Sequence, residues 1–163
     1  MPIYDSAPET EKHIEQVQKL LFDVLVKIGK ASSLHDASKL GPPEKECYDL
    51  YTPILREMSY GSDEYKRTLE NMGHALAHHY RVNRHHPEHF ENGISGMTLI
   101  DLLEMLADWK AATLRHDDGD IMKSLEINRE RFGITEQLAQ ILQNTVAFMN
   151  WNKPQEVENE NPA

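Results

Sequence analysis

Between residues 99 and 109 the chain reads Leu-Ile-Asp-Leu-Leu-Glu-Met-Leu-Ala-Asp-Trp. Helical spacing spreads the apolar members of this run, Leu99, Leu102, Leu106 and Trp109 among them, round most of the circumference. A helix that is apolar nearly all round has to be enclosed, so the rest of the chain must wrap about this one. Only one stripe of it is acidic: Asp101, Glu104 and Asp108 fall within roughly 60° of arc. Burying carboxylates without a partner is costly, and a metal cation is one adequate partner. The stripe, and Asp108 above all, is therefore expected to face a polar internal site.

The enclosing elements also read as helices. Ser6-Ala7-Pro8-Glu9 has the form of a capping box with proline in the first turn, opening a helix to about Lys30. Val17, Leu20, Leu21, Val24 and Ile28 form its apolar stripe, and His13 shares that face. Ser32 or Ser33 can cap a short second helix carrying His35, Asp36 and Lys39, ended by Gly41-Pro42-Pro43. A helix follows from Glu44 to Met58, bent or divided by Pro53. Ser62 opens a long helix to about Val82, on which Leu69, Met72, Leu76 and His79 point inward and His74 and His78 outward. Ser95 or Thr98 caps the central helix, which reaches about Arg115. His116 to Asp120 reads as cap and loop. Then come Ile121 to Phe132, stopped by Gly133, and a last helix from Thr135-Glu136 to about Asn150 with Leu138, Ile141, Leu142, Val146 and Met149 inward. No segment alternates with the period of a strand. The expected fold is all-α, a compact bundle of six or seven helices over residues 1–153, with an acidic, disordered tail at 154–163.

The chain has 163 residues and a formal charge of −10, which argues against a protein that coats nucleic acid by neutralising phosphates. Cys47 is its only cysteine, so neither a disulfide framework nor a thiolate metal site can form. No run approaches the ~18 apolar residues of a membrane span. The N-terminus lacks the features of a signal peptide, and the expected compartment is the cytosol. A homo-oligomer stays open.

Candidate chemistry gathers in three places. His35-Asp36 puts an imidazole beside a carboxylate, a mixed nitrogen and oxygen donor pair suited to Fe, Mn, Ni, Co or Zn. Lys39, three residues on, can bring a positive charge to an anionic substrate. His85-His86-Pro87-Glu88-His89 is a polar loop at a helix end, and three histidines in five residues have no packing explanation. Asp108 and Glu104 complete the set from the central helix.

This arrangement resembles the HD-domain superfamily of metal-dependent phosphohydrolases. In that superfamily a histidine on the first long helix, a His-Asp pair on the second and an aspartate on a later helix bind metal; the matching positions are His13, His35, Asp36 and Asp108. The middle histidines resemble those of members with a two-metal centre. The chain is also similar to a small uncharacterised bacterial and bacteriophage family. That family shares His-Asp-x-Ser-Lys (residues 35–39), His-x3-Asn-x-His-His-Pro-Glu (79–88) and Glu-Met-x2-Asp-Trp (104–109). One departure stands out: 21 residues separate His13 from His35, fewer than the HD pattern has.

The resemblance implies a metal-dependent phosphohydrolase acting on a nucleotide or related phosphate ester. One or two divalent ions at His35, Asp36, Asp108 and His79, with His85 or His86 and with His13, would activate water and hold a phosphoryl oxygen. Lys39, Arg81 or Arg84, and Asn83 would contact substrate. Glu104 could accept a proton or orient a ligand, and Glu88 is the other candidate for proton transfer. Two readings from other classes stay open: a di-iron oxygenase on the same scaffold, and a non-catalytic nucleotide-binding protein.

Overall fold

A computed structural model describes residues 4–59, 61–115 and 119–152. Its six α-helices are α1 (Ala7–Leu34), α2 (Lys45–Arg56), α3 (Asp63–Val82), α4 (Leu99–Thr113), α5 (Ile121–Phe132) and α6 (Glu136–Phe148). Short 3₁₀ turns at Ala37–Leu40, Pro87–His89 and Gly93–Gly96 link them. No strand occurs among the described residues. The expected tail and the turn at His116, Asp117 and Asp118 lie outside the described residues.

Most of the expected punctuation is made by side-chain caps. Ser62 accepts from Tyr65 N at 3.1 Å and Thr135 from Leu138 N at 3.4 Å. Thr98 and Asp101 form a reciprocal capping box on α4. Gly133 ends α5 at φ 60°, the left-handed conformation a side chain disfavours. Pro53 lies inside an α2 that remains one helix. Gly73 interrupts α3 at φ 35° and ψ −105°, yet Thr68, Met72, Ala75 and His79 keep one buried stripe across it.

The first helix departs from expectation. Ser6 is not its side-chain cap; Asp5 Oδ1 accepts from Ala7 N at 3.0 Å instead. Ser32 and Ser33 open no second helix, because α1 continues unbroken through them to Leu34. Its expected core stripe is not buried: Val17, Leu20, Leu21 and Val24 are exposed, and only Ile28 and Ala31 are even partly covered.

The core lies between α4, α5 and α6. Met105, Leu106 and Trp109 pack against Ile121 and Leu125 of α5 and against Ala139, Leu142 and Val146 of α6. Trp109 stacks on Phe132 with ring centroids 6.1 Å apart. Ile141 and Met149, expected inward, are exposed. The opposite side of α4 meets the C-terminal end of α1 and the loop after α3. The acidic stripe is on that side, so α4 separates an apolar core from a polar cluster.

Candidate metal centre

The cluster is assembled from four stretches. Helix α1 ends at His35, and Asp36 turns the chain in the left-handed region at φ 54°. Aspartate tolerates this conformation better than most residues. The His-Asp pair thus sits at a helix end, and not on one helical turn as expected. Asp36 Oδ2 lies 3.6 Å from His35 Nε2 and accepts from Lys39 Nζ at 2.5 Å. The last turns of α3 deliver His79. An extended His86 before Pro87 turns His85 and His86 back toward Asp36, and α4 supplies Glu104 and Asp108.

Two of the rings are held by carboxylates through Nδ1. Glu104 Oε1 accepts from His35 Nδ1 at 3.0 Å and lies 3.1 Å from His85 Nδ1. Glu44 Oε2 accepts from His79 Nδ1 at 2.9 Å. On a neutral imidazole such a pairing fixes the tautomer and leaves Nε2 as a lone-pair donor. The freed atoms converge. His79 Nε2 lies 2.8 Å from His86 Nε2 and 3.3 Å from Asp36 Oδ1, and His85 Nε2 lies 3.5 Å from the same oxygen. On the other side of Asp36, His35 Nε2 is 3.6 Å from Asp108 Oδ1.

Three groupings could hold an ion: Asp36, His79, His85 and His86; His35, Asp36 and Asp108; and His35, His85 and Glu104. Asp36 is common to the first two, and the third gathers about Glu104 Oε1, which His35 Nδ1 already donates to. Two donors each about 2.1 Å from an ion lie about 3.0–3.4 Å apart for octahedral to tetrahedral angles, close to the separations here. Asp36 Oδ1 and His85 Nε2 are moreover buried without any hydrogen-bond partner. Buried polar atoms are normally satisfied, so a pair of orphans aimed at one point fits a cation between them.

Burial and neighbours set the charge states. His86 is pushed down to about 3, by burial first and then by His85 and His79. Burial also lowers His79 and His85, so three imidazoles stand neutral and ready to coordinate. His35 differs: the Asp108 carboxylate, 3.6 Å from its Nε2, outweighs burial and, with Glu104, raises it to about 9. Burial opposes ionisation of Asp108, but His35, with the Lys39 ammonium, holds it at about 2. Burial would likewise raise Asp36, yet Lys39 keeps it below the usual carboxylate range.

Several expected site residues are elsewhere or do other work. His13 is exposed on α1 and joins none of the groupings. Because α1 is unbroken, 22 residues of helical rise put it roughly 30 Å from His35. Arg84 is not free for phosphate; it clamps Asp101 with bonds of 3.0 and 2.9 Å, and Asp101 is spent on the α4 cap. Arg81 is exposed, two residues past His79 and so on the far side of α3. Glu88 pairs with Arg131 of α5 at 2.7 Å, away from the cluster. Asn83 is buried as a strut: its amide donates to His79 O at 2.9 Å and to Ser38 Oγ at 2.8 Å. His74 is exposed and His79 buried, as the helical phase predicts.

Two residues escaped the sequence reading. Glu44 is fully buried and accepts from Ser38 Oγ at 3.0 Å, His79 Nδ1 at 2.9 Å and His78 Nδ1 at 2.6 Å. These donors outweigh the cost of burying it and keep it ionised. Its position after Pro42-Pro43 read only as a helix start, and a partner on another helix leaves no local signal. His78, expected in solvent, is drawn in by Glu44.

Fold and site together define an all-helical protein with a buried imidazole–carboxylate cluster organised about one shared aspartate. The chain belongs to DUF5662, a family of unknown function whose pattern matches residues 3–149. No curated protein and no solved structure matches it.

Proposed function

We propose that this protein is a metal-dependent phosphohydrolase of the HD type, acting on a nucleotide or related phosphate ester. The observation that carries the reading is the double donor set about Asp36, with Nδ1 of His35 and His79 bonded to carboxylates. His79, His85 and His86 with Asp36 would hold one divalent ion; His35, Asp36 and Asp108 would hold a second. Such ions supply acidified water and positive charge for a phosphoryl oxygen. The second set offers only three protein donors, which leaves room for water or substrate.

The chain's own residues divide the remaining work. Glu104 and Glu44 keep the imidazoles in the tautomer that presents Nε2. Lys39 stands beside Asp36 with its ammonium 4.9 Å from the Tyr48 ring centroid, and is the cation nearest the place a phosphate would occupy. A protonated ammonium cannot coordinate a metal, so its expected partner is a substrate oxygen.

The test is a hydrolysis screen with nucleoside monophosphates, triphosphates and cyclic nucleotides, the nucleotide products separated by chromatography, on protein loaded in turn with Mn, Fe, Co, Ni and Zn. Hydrolysis that depends on metal and is abolished in Asp36→Ala supports the proposal. Metal-loaded protein that hydrolyses none of them contradicts it, and oxygen uptake by the ferrous form would point to an oxygenase.

A further inference from the structure

Two apolar faces of the chain have no cover among the described residues. The first is on α1, where helical phase gathers Ile14, Val17, Leu21 and Val24 on one stripe. Leu20 and Leu25 flank it, and Phe22 and Val26 carry the apolar arc past roughly half of the circumference. Leu20 is 66% exposed. The second face is on α4, where Leu99, Leu103 and Leu114, with Ala107 and Ala111, form an exposed stripe along the length of the helix. Leu99 is 78% exposed. The two faces adjoin, because α1 packs on α4 through its C-terminal turns, the only part of it with partly covered side chains.

We propose that a second copy of this chain covers both faces, in a two-fold dimer where α1 of each copy lies against α1 and α4 of the other. Width and area argue for a partner of this size. A single packed helix covers about 100° of arc, much less than α1 presents. The exposed leucines, valines, isoleucine and phenylalanine of the two faces amount to on the order of 1,000 Å² per copy. That exceeds the ~300–600 Å² patch of an ordinary monomer and reaches the ~800 Å² per partner of a stable interface.

Charge does not oppose this partner. Over the whole of α1, Lys12, Lys19, Lys27 and Lys30 balance Glu9, Glu11, Glu15 and Asp23, although the chain as a whole is at −10. A helix without net charge can meet the same helix of a second copy without like-charge repulsion. The four lysines fall on the arc opposite the apolar one, so they stay in water when the dimer forms. A self-complementary patch of this kind closes under two-fold symmetry. Because α1 runs unbroken into His35, holding it between two copies also steadies the turn that carries His35 and Asp36.

Light scattering on the full-length protein after size exclusion tests the inference. The expected mass is twice the 18.8 kDa of one chain. Leu21→Glu combined with Leu25→Glu on α1, and separately Leu103→Glu on α4, should each raise the dissociation constant about a hundredfold or more. These side chains are exposed in one copy, so helix content by circular dichroism should be unchanged. In a Cys47→Ser background, mixing a Leu21→Cys chain with a Leu103→Cys chain should give a disulfide-linked heterodimer. A wild-type protein that stays monomeric in the hundred-micromolar range overturns the proposal. So does a dimer whose mass neither variant alters.

Discussion

Glu44 and His79 form a unit in which neither side chain makes sense alone. A buried carboxylate with three donors is stable only while the donors are present, and each donor is held in place by the carboxylate. Replacing Glu44 by alanine strands buried imidazole and hydroxyl donors, at a cost of about 1–3 kcal/mol, and frees His79 to rotate. Glu44→Ala should therefore lower the urea midpoint and also weaken metal binding; a loss of stability with wild-type metal affinity would leave Glu44 a purely structural residue. His79→Ala should reduce bound metal where His74→Ala, on the exposed face, leaves it unchanged. Equal and small effects of the two would mean that α3 does not present His79 to an ion. Arg84→Ala belongs to another class. It removes the clamp on the α4 cap, and since Arg84 is half-exposed the cost is about 1 kcal/mol or less, read as a small drop in melting temperature without change in turnover.

Protonation at the same cluster gives a pH signature. In chelated protein His35 is raised to about 9, so its contribution to stability is complete below its ordinary 6.5 and lost as pH rises through about 9. Asp108 is lowered to about 2, so its contribution is present above its ordinary 3.8 and lost as pH falls through about 2. Denaturant titrations of the chelated protein should show stability declining over both windows; a flat profile from pH 6.5 to 9 would contradict the His35–Asp108 pairing. A metal must displace the His35 proton, so loading near neutral pH should release about one proton for the ion bound there.

Helices α3 and α4 show how far pattern alone reaches. The stripe that placed His79 inward and His74 outward, and the acidic stripe that placed Asp108 at a site, are both present, because each depends only on period and burial. The caps at Ser62, Thr98 and Thr135 were equally legible, since a cap is local chemistry. What sequence could not supply was contact between elements. Nothing near Arg84 says that Asp101 will hold it, and nothing near Glu44 says that two histidines from α3 will fold over it. His13 fails for two reasons: the apolar stripe it shares is exposed, and the helix continues through Ser32 and Ser33, which sets it about 30 Å from the site. Gly73 is a further element feature without a pattern signal. Its φ of 35° disfavours any side chain although open space surrounds it, so Gly73→Ala should destabilise by about 1–2 kcal/mol through the backbone alone, read by urea unfolding.

Across the whole molecule, α4 divides the labour. One side closes the apolar core with α5 and α6, one lines the cluster, and the third carries the uncovered leucines. The expectation that this helix is enclosed all round is met by one copy only in part. No helix among the described residues is long and apolar enough to cross a membrane.

Metal stoichiometry of wild type beside Asp36→Ala, after reconstitution with a divalent transition metal and removal of the excess, bears most directly on the centre organised about Asp36. The wild-type protein should retain two ions per chain, and the variant, having lost the donor that the His79–His85–His86 and His35–Asp108 sets share, should retain neither at the same affinity. A wild-type chain that binds no Fe, Mn, Co, Ni or Zn, or an Asp36→Ala chain that binds them as wild type does, would contradict it.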